Sequence, residues 1–372
     1  MSAKDYFPPP GAFAEIAPEA AGLDPERIAE AVALAGRETE WPRDLQKHLE
    51  DGYFDRPPWN ALVGAVAPRG APNGLILRGG RIVARWGDTR QVDMTFSVAK
   101  SYLSLIAGLA VADGLIEDLD EPVARKVDDG GFSSAQNAPI TWRHLLQQTS
   151  EWEGEMWGKP DQIDRFRLVA LEAKGADKGK ARALGPPGSY WEYNDVRVNR
   201  TSLALLRLFR RPLPKIFAER IMAPIGASAD WRWKGYGNAF VEIGGERMQS
   251  VPGGGHWGGG LFMHAEDQAR VALLALRDGV WDDRRLLPEG WMAASTAPCP
   301  RNPLYGFMWW LNTASGRFPS ASPQSYFALG SGGNISWIDP AHDIVAVLRW
   351  IHADAIDPFM RAVTAATEPG AA

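Results

Sequence analysis

Cysteine is almost missing: Cys299 is the single one in 372 residues, so no internal disulfide can form and cysteine-based zinc sites are excluded. The six histidines show no metal spacing such as His-Glu-x-x-His, and neither a metal nor any other cofactor is expected. No apolar run is long enough to span a bilayer. The start, Met1-Ser2-Ala3-Lys4-Asp5-Tyr6-Phe7-Pro8-Pro9-Pro10, lacks the basic and apolar regions of an export signal, so the expected location is cytoplasmic. An excess of one charge is also lacking, with Lys and Arg at 40, Asp and Glu at 45 and a net charge of −5. With no basic stripe, nucleic acid and anionic membrane are not expected partners. Repeats and low-complexity segments do not occur, and nothing in the sequence speaks to oligomeric state. The glycine-rich stretch 253–260 has no following Lys-Ser/Thr, so it is not a phosphate loop.

What is present is apolar content of 45%, enough for a large core, and sixteen tryptophans, which fill a core or line an apolar pocket. Asp24 followed by Pro25 starts a helix running to about residue 37. Residues 74–78 and 81–86 are apolar runs around Gly79-Gly80 and predict a hairpin. Residues 102–112 form a nearly uninterrupted apolar run that closes at Gly114 and predicts a buried helix. Loops and short helices follow, with helical spacing at 199–209, 214–221 and 265–277. Strands return at 305–311, 326–329, 334–338 and 343–350, before a last helix from about 357 to 367. Strands at both ends with helices between imply an α+β fold: an antiparallel sheet built from N- and C-terminal segments, flanked by helices, with an inserted mainly helical region. The expected division is 1–114 with 250–372 for the sheet region and 115–249 for the insert, together one composite unit whose natural cleft is the junction.

Ser97 stands at the first turn of the buried helix, and a spacing of three puts Lys100 on the same face. The pair is either a nucleophile beside a base or a capping serine followed by a surface lysine. Tyr190-Trp191-Glu192-Tyr193-Asn194-Asp195 leads into a helix; Tyr193 and Asp195 either project into a cleft, or Asn194 or Asp195 caps the helix above a packed Tyr193. Leu329-Gly330-Ser331-Gly332-Gly333-Asn334 lets a substrate or backbone approach closely, or is a hairpin turn. Trp152, Trp157, Trp191 and Trp257 lie near loops that border the expected cleft and either line an apolar pocket or pack in the core, and His256 is either a pocket residue or a structural one.

In order and separation these three boxes resemble the penicillin-recognising serine hydrolases, in particular the class C β-lactamase-like esterases and amidases, over roughly residues 65–355. Ser97-Val98-Ala99-Lys100 matches the Ser-x-x-Lys box and Tyr193-Asn194-Asp195 the Tyr-x-Asn box, with Asp in the last place. Ser331-Gly332-Gly333 stands at the Lys-Thr-Gly or His-x-Gly box; Leu145-Leu146-Gln147-Gln148-Thr149-Ser150 and Gly258-Gly259-Gly260-Leu261-Phe262-Met263 are also family-like. The resemblance implies a β-lactamase/transpeptidase-like fold and acyl transfer: Ser97 attacks a carbonyl, Lys100 and Tyr193 share the proton work, and the backbone N–H groups of Ser97 and Asn334 hold the oxyanion. Asp195, where it reaches Lys100, is expected to hold that lysine as the ammonium and leave the serine proton to Tyr193. Ser331 removes a cation that would anchor a substrate carboxylate. The expected function is therefore cleavage of a small ester or amide, as in the esterase and nylon-oligomer hydrolase branches. The alternatives are an acyltransferase of the same fold and a catalytically silent ligand-binding homologue.

Overall fold

In the computed structural model, which describes residues 6–167 and 177–368, the two ends of the chain meet in one antiparallel sheet. Residues 1–5 of the N-terminal stretch read above lie outside the described residues. The expected hairpin is β1 (Asn73–Arg78) and β2 (Arg81–Trp86). Its turn glycines have φ of 59° at Gly79 and 79° at Gly80, the left-handed conformation that lets a two-residue turn follow the twist of its strands. The other labelled strands are β3 (Asp93–Met94), β4 (Arg232–Lys234), β5 (Gly260–Met263), β6 (Trp310–Leu311), β7 (Tyr326–Gly330), β8 (Asn334–Asp339) and β9 (Ile344–Arg349). The main sheet has six strands in the order β6-β7-β8-β9-β1-β2, every neighbouring pair antiparallel.

Its strands are apolar at consecutive positions because both faces are covered. Leu75, Leu77, Val345 and Val347 point into one core, while Ile76, Ile344, Ala346 and Leu348 point into the other. The first core lies under α2 (Val98–Ala112) and α4 (Ala265–Leu276), the second under α1 (Pro25–Ala35) and α5 (Ile356–Ala365). Asp24 caps α1 as its sequence suggests, accepting from the N–H groups of Glu26 and Arg27. In α2 every residue from Val98 to Ala110 is buried, which explains an apolar run with no polar face. That helix closes at Gly114, where φ is 67°.

The region between carries α3 (Asp195–Phe209), with shorter helices at Trp142–Leu146 and Leu213–Phe217. The helix expected over 214–221 stops early and passes into a π turn at Ala218–Met222. The insert also ends in strands: β4 pairs with β5, which pairs with β3. This small sheet crosses the expected boundary at residue 250 and leads directly into Ser97. The strand expected over 305–311 is extended only at β6, because Met308 has φ 60° and breaks the run. Its carbonyl accepts from the Ser101 hydroxyl at 2.8 Å, tying this segment to α2. Beneath the junction the buried Arg349 donates to Met94 O (2.9 Å), Met263 O (2.8 Å) and Asn334 Oδ1 (2.6 Å). One guanidinium thus joins β3, β5 and β8, its fork satisfying groups that burial would otherwise leave unpaired.

Candidate active site

Ser97 sits at the N-terminus of α2, half-buried on the wall of a cavity of about 1300 Å³. Its side chain makes no cap hydrogen bond, so the capping alternative for this serine does not hold. Instead Lys100 Nζ lies at hydrogen-bond distance, 2.8 Å, from Ser97 Oγ, and Lys100 is itself buried. The residue before the serine, Phe96, has φ 50°, a conformation that costs a bulky residue about 1–3 kcal/mol. Its ring is caged by Trp41 (5.3 Å), Trp350 (6.2 Å) and Phe54 (6.4 Å). That packing holds the turn that brings the serine to the cavity.

The second box reaches the same place from α3. Asn194 is the N-cap, its side chain accepting from Arg197 N, so the helix is capped as one alternative has it. Asp195 and Tyr193 on either side nevertheless face Lys100. Asp195 Oδ1 lies 2.5 Å from Lys100 Nζ, and Lys100 Nζ lies 4.7 Å from the centroid of the Tyr193 ring. Tyr193 lines the cavity, stacked on Trp310 at 5.7 Å. Its hydroxyl has no hydrogen-bond partner among the described residues.

Asp195 serves more than Lys100. Its Oδ2 also accepts from Arg167 Nη1 at 2.8 Å and faces His256 Nδ1 at 2.8 Å. The opposite ring nitrogen, His256 Nε2, lies 2.5 Å from Asp55 Oδ2, which also accepts from Trp257 Nε1 at 2.9 Å. Lys178 pairs with Asp55 and, at 3.0 Å, with Asp164, while Asp164 accepts the backbone N–H of Asp195 at 2.8 Å. Burial alone would raise the Asp195 carboxyl, but Lys100, Arg167 and His256 hold it well below the usual carboxylate range. Asp55 is likewise lowered against its burial by His256 and Lys178. Asp55, Asp164 and His256 place ligand atoms within 4.8 Å of one another. The Lys178 ammonium on both carboxylates already supplies the positive charge a metal would bring there.

The third box is the β7–β8 turn, as the hairpin alternative has it. Ser331, Gly332 and Gly333 line the cavity, with φ of 77° and 80° at the two glycines. Asn334 stands behind them, fully buried on β8 and absent from the cavity wall. Its side chain donates to Ser331 O at 2.7 Å and accepts from Arg349. Of the alternatives for Trp152, Trp157, Trp191, Trp257 and His256, the packed one holds, because none of them lines the cavity. Trp152 is core, its indole N–H given to Gly131 O. Trp157 packs against the same core, and Trp191 lies behind Tyr193 against Tyr305 and Trp310. His256 and Trp257 are stacked on each other at 4.2 Å within the buried network. The cavity takes Trp41, Trp59 and Trp310 instead, together with Arg167 and Lys178. Those residues carry no local pattern; only the folded chain collects them.

The Beta-lactamase family model matches residues 71–350. The chain belongs to the Beta-lactamase family. Among curated proteins none matches. Solved structures of the same fold include a penicillin-binding protein homologue from Caulobacter crescentus, at 15% identity and TM-score 0.59 over 92% of this chain and 98% of that one. A putative 6-aminohexanoate-dimer hydrolase from Bacillus anthracis aligns at 14% identity and TM-score 0.56, over 95% and 87%. EstCE1, described as a hydrolase with promiscuous acyltransferase activity, aligns at 17% and 0.57, over 92% and 98%. The α+β fold is therefore that of the β-lactamase/transpeptidase-like serine hydrolases. Within this Beta-lactamase family fold Ser331 does leave its own position uncharged, yet cations are not lacking at the cavity. Arg317 also lines it, 4.3 Å over the Trp310 ring, and burial pulls its guanidinium down to about 10.

Proposed function

We propose that the protein is a serine hydrolase that cleaves a small carboxylic ester or amide through a covalent acyl-enzyme on Ser97. The observation that carries this reading is the 2.8 Å contact between Lys100 Nζ and Ser97 Oγ at the wall of the cavity. Ser97 Oγ attacks the carbonyl carbon as its proton passes to Lys100, and the carbonyl oxygen becomes the oxyanion. Collapse breaks the bond to the alcohol or amine, which takes a proton by way of Lys100 and Tyr193. Water then adds to the acyl-enzyme with the same groups reversed, and Ser97 is restored. The Ser97 N–H at the start of α2 is one oxyanion donor, assisted by the helix dipole. The backbone N–H of Asn334, directly after the 331–333 turn, is the other donor in this reading.

The test is intact mass spectrometry after a fluorophosphonate probe. One adduct is expected, absent in Ser97→Ala, together with hydrolysis of p-nitrophenyl esters that Ser97→Ala abolishes. No adduct under forcing conditions would favour the ligand-binding alternative. Added alcohols that divert the acyl group from water would favour the acyltransferase.

A further inference from the structure

Three buried carboxylates, Asp55, Asp164 and Asp195, face four groups able to carry a positive charge: Lys100, Arg167, Lys178 and His256. Arg167 and Lys178 balance two of the carboxylates. The third needs one more cation, and geometry decides which group provides it. His256 Nδ1 lies 2.8 Å from Asp195 and Nε2 lies 2.5 Å from Asp55. A neutral imidazole has one N–H, so at one of these contacts its lone pair would face a carboxylate oxygen. An imidazole with an N–H on each ring nitrogen satisfies both contacts at once, each at hydrogen-bond distance from a carboxylate oxygen. Lys100 is held differently. It touches one carboxylate, through Asp195 Oδ1, and its other polar neighbour is the Ser97 hydroxyl.

We infer that His256 is a positioning residue: as an imidazolium clamped between Asp195 and Asp55 it takes up the charge of Asp195, so that Lys100 can stand neutral and accept the Ser97 proton. When that proton arrives, Lys100 becomes the ammonium and Asp195 is already beside it, so no charge has to move through the interior. The inference rests on the reading of Ser97 and Lys100 as nucleophile and base. Other charges around the ring are Asp164 at 4.0 Å from Nδ1, Arg167 at 3.3 Å from Nδ1, and Lys178 beyond Asp55. Lys159 lies 5.3 Å over the ring of Trp257, which stacks on His256. Phe54 packs against the imidazole at 4.4 Å.

The experiment follows the rate of fluorophosphonate labelling of Ser97 against pH in wild type, His256→Gln, Asp195→Asn and the double variant. Without the imidazolium the carboxylate charge falls on Lys100, which then keeps its proton to higher pH. His256→Gln is expected to move the ascending limb up by about one pH unit, with labelling at pH 7 down about tenfold and regained at high pH. In the Asp195→Asn background the same change is expected to move the limb by no more than a few tenths of a unit, because the coupling runs through Asp195. A limb that His256→Gln leaves in place, or moves equally in both backgrounds, overturns the inference. Nitrogen NMR of ring-labelled histidine in the wild-type protein keeps the question open to refutation if a variant does not fold. His256 is expected to hold protons on both nitrogens at pH 8, and one proton there refutes the clamp. If wild-type Ser97 does not label at all, the acyl-enzyme reading fails, while the NMR result still reads the clamp.

Discussion

A methyl group added at Gly330 tests whether the third box positions the serine. A Cβ there would lie 2.1 Å from Thr95 O and 3.3 Å from Asn334 Cβ. Carbon and oxygen do not approach closer than about 3 Å, so in Gly330→Ala either the end of β7 or the Thr95 segment must retreat by about 1 Å. Thr95 cannot move alone, since its N–H donates to Leu261 O at 2.8 Å and Ser97 follows two residues later. The overpacking is expected to cost about 1–3 kcal/mol of stability, and a displacement of about 1 Å between serine and turn to lower kcat/KM about 10²-fold. The control is Gly114→Ala, at the far end of the same helix. There φ is 67° and nothing lies within 4 Å, so only the backbone conformation is strained, by about 1–2 kcal/mol. Ester hydrolysis and thermal melts on both variants separate the two effects. Wild-type kcat/KM in Gly330→Ala, or equal losses of rate in both variants, would refute the argument.

Tyr193→Phe is expected to lower kcat about 10²- to 10⁴-fold. Its stability should stay within about 0.5 kcal/mol of wild type, because the stack on Trp310 survives and the hydroxyl has no partner among the described residues; steady-state kinetics and urea unfolding check both. Acid should destabilise the fold through Asp195 and Asp55, whose carboxyls are lowered in the folded state. Their contribution is complete above the unfolded carboxylate value of about 3.9 and is lost as pH falls through the lower folded values, since the unfolded chain then binds protons the native state does not. Urea unfolding between pH 7 and 3 should show stability dropping below about pH 4, less steeply in Asp195→Asn.

The fold was legible where local chemistry decides it. Asp24-Pro25 caps α1, Gly79-Gly80 turns the hairpin, and an unbroken apolar run becomes a helix buried from Val98 to Ala110. The strand expected over 305–311 was less so, because a positive φ at Met308, pinned to α2 through its carbonyl, is a tertiary effect that apolar alternation does not carry. In the site, Ser97 and Lys100 were legible because three residues on one helix fix their proximity. The tryptophans stayed open between pocket and core: proximity in sequence to a cleft-bordering loop says nothing about which way an indole points, and Trp152 points into the core.

Asp195 marks the limit most clearly. The sequence expectation treats it as one carboxylate acting on one lysine, which would hold Lys100 as the ammonium and leave Tyr193 as the base. The carboxylate does reach Lys100, at 2.5 Å. Its other oxygen is met by Arg167 and His256, so one negative charge is divided among three basic groups. In a buried site an interaction between unit charges can amount to several kcal/mol, so how that charge is divided bears directly on whether Lys100 or Tyr193 takes the serine proton, which the His256→Gln and Asp195→Asn labelling profiles test. The residues that divide it come from around positions 55, 164–167, 178 and 256, on segments with no sequence pattern in common. Lys100 is therefore best understood together with His256 and Asp55: the base role proposed for it rests on the charge count of the whole buried cluster rather than on the Ser-x-x-Lys box alone.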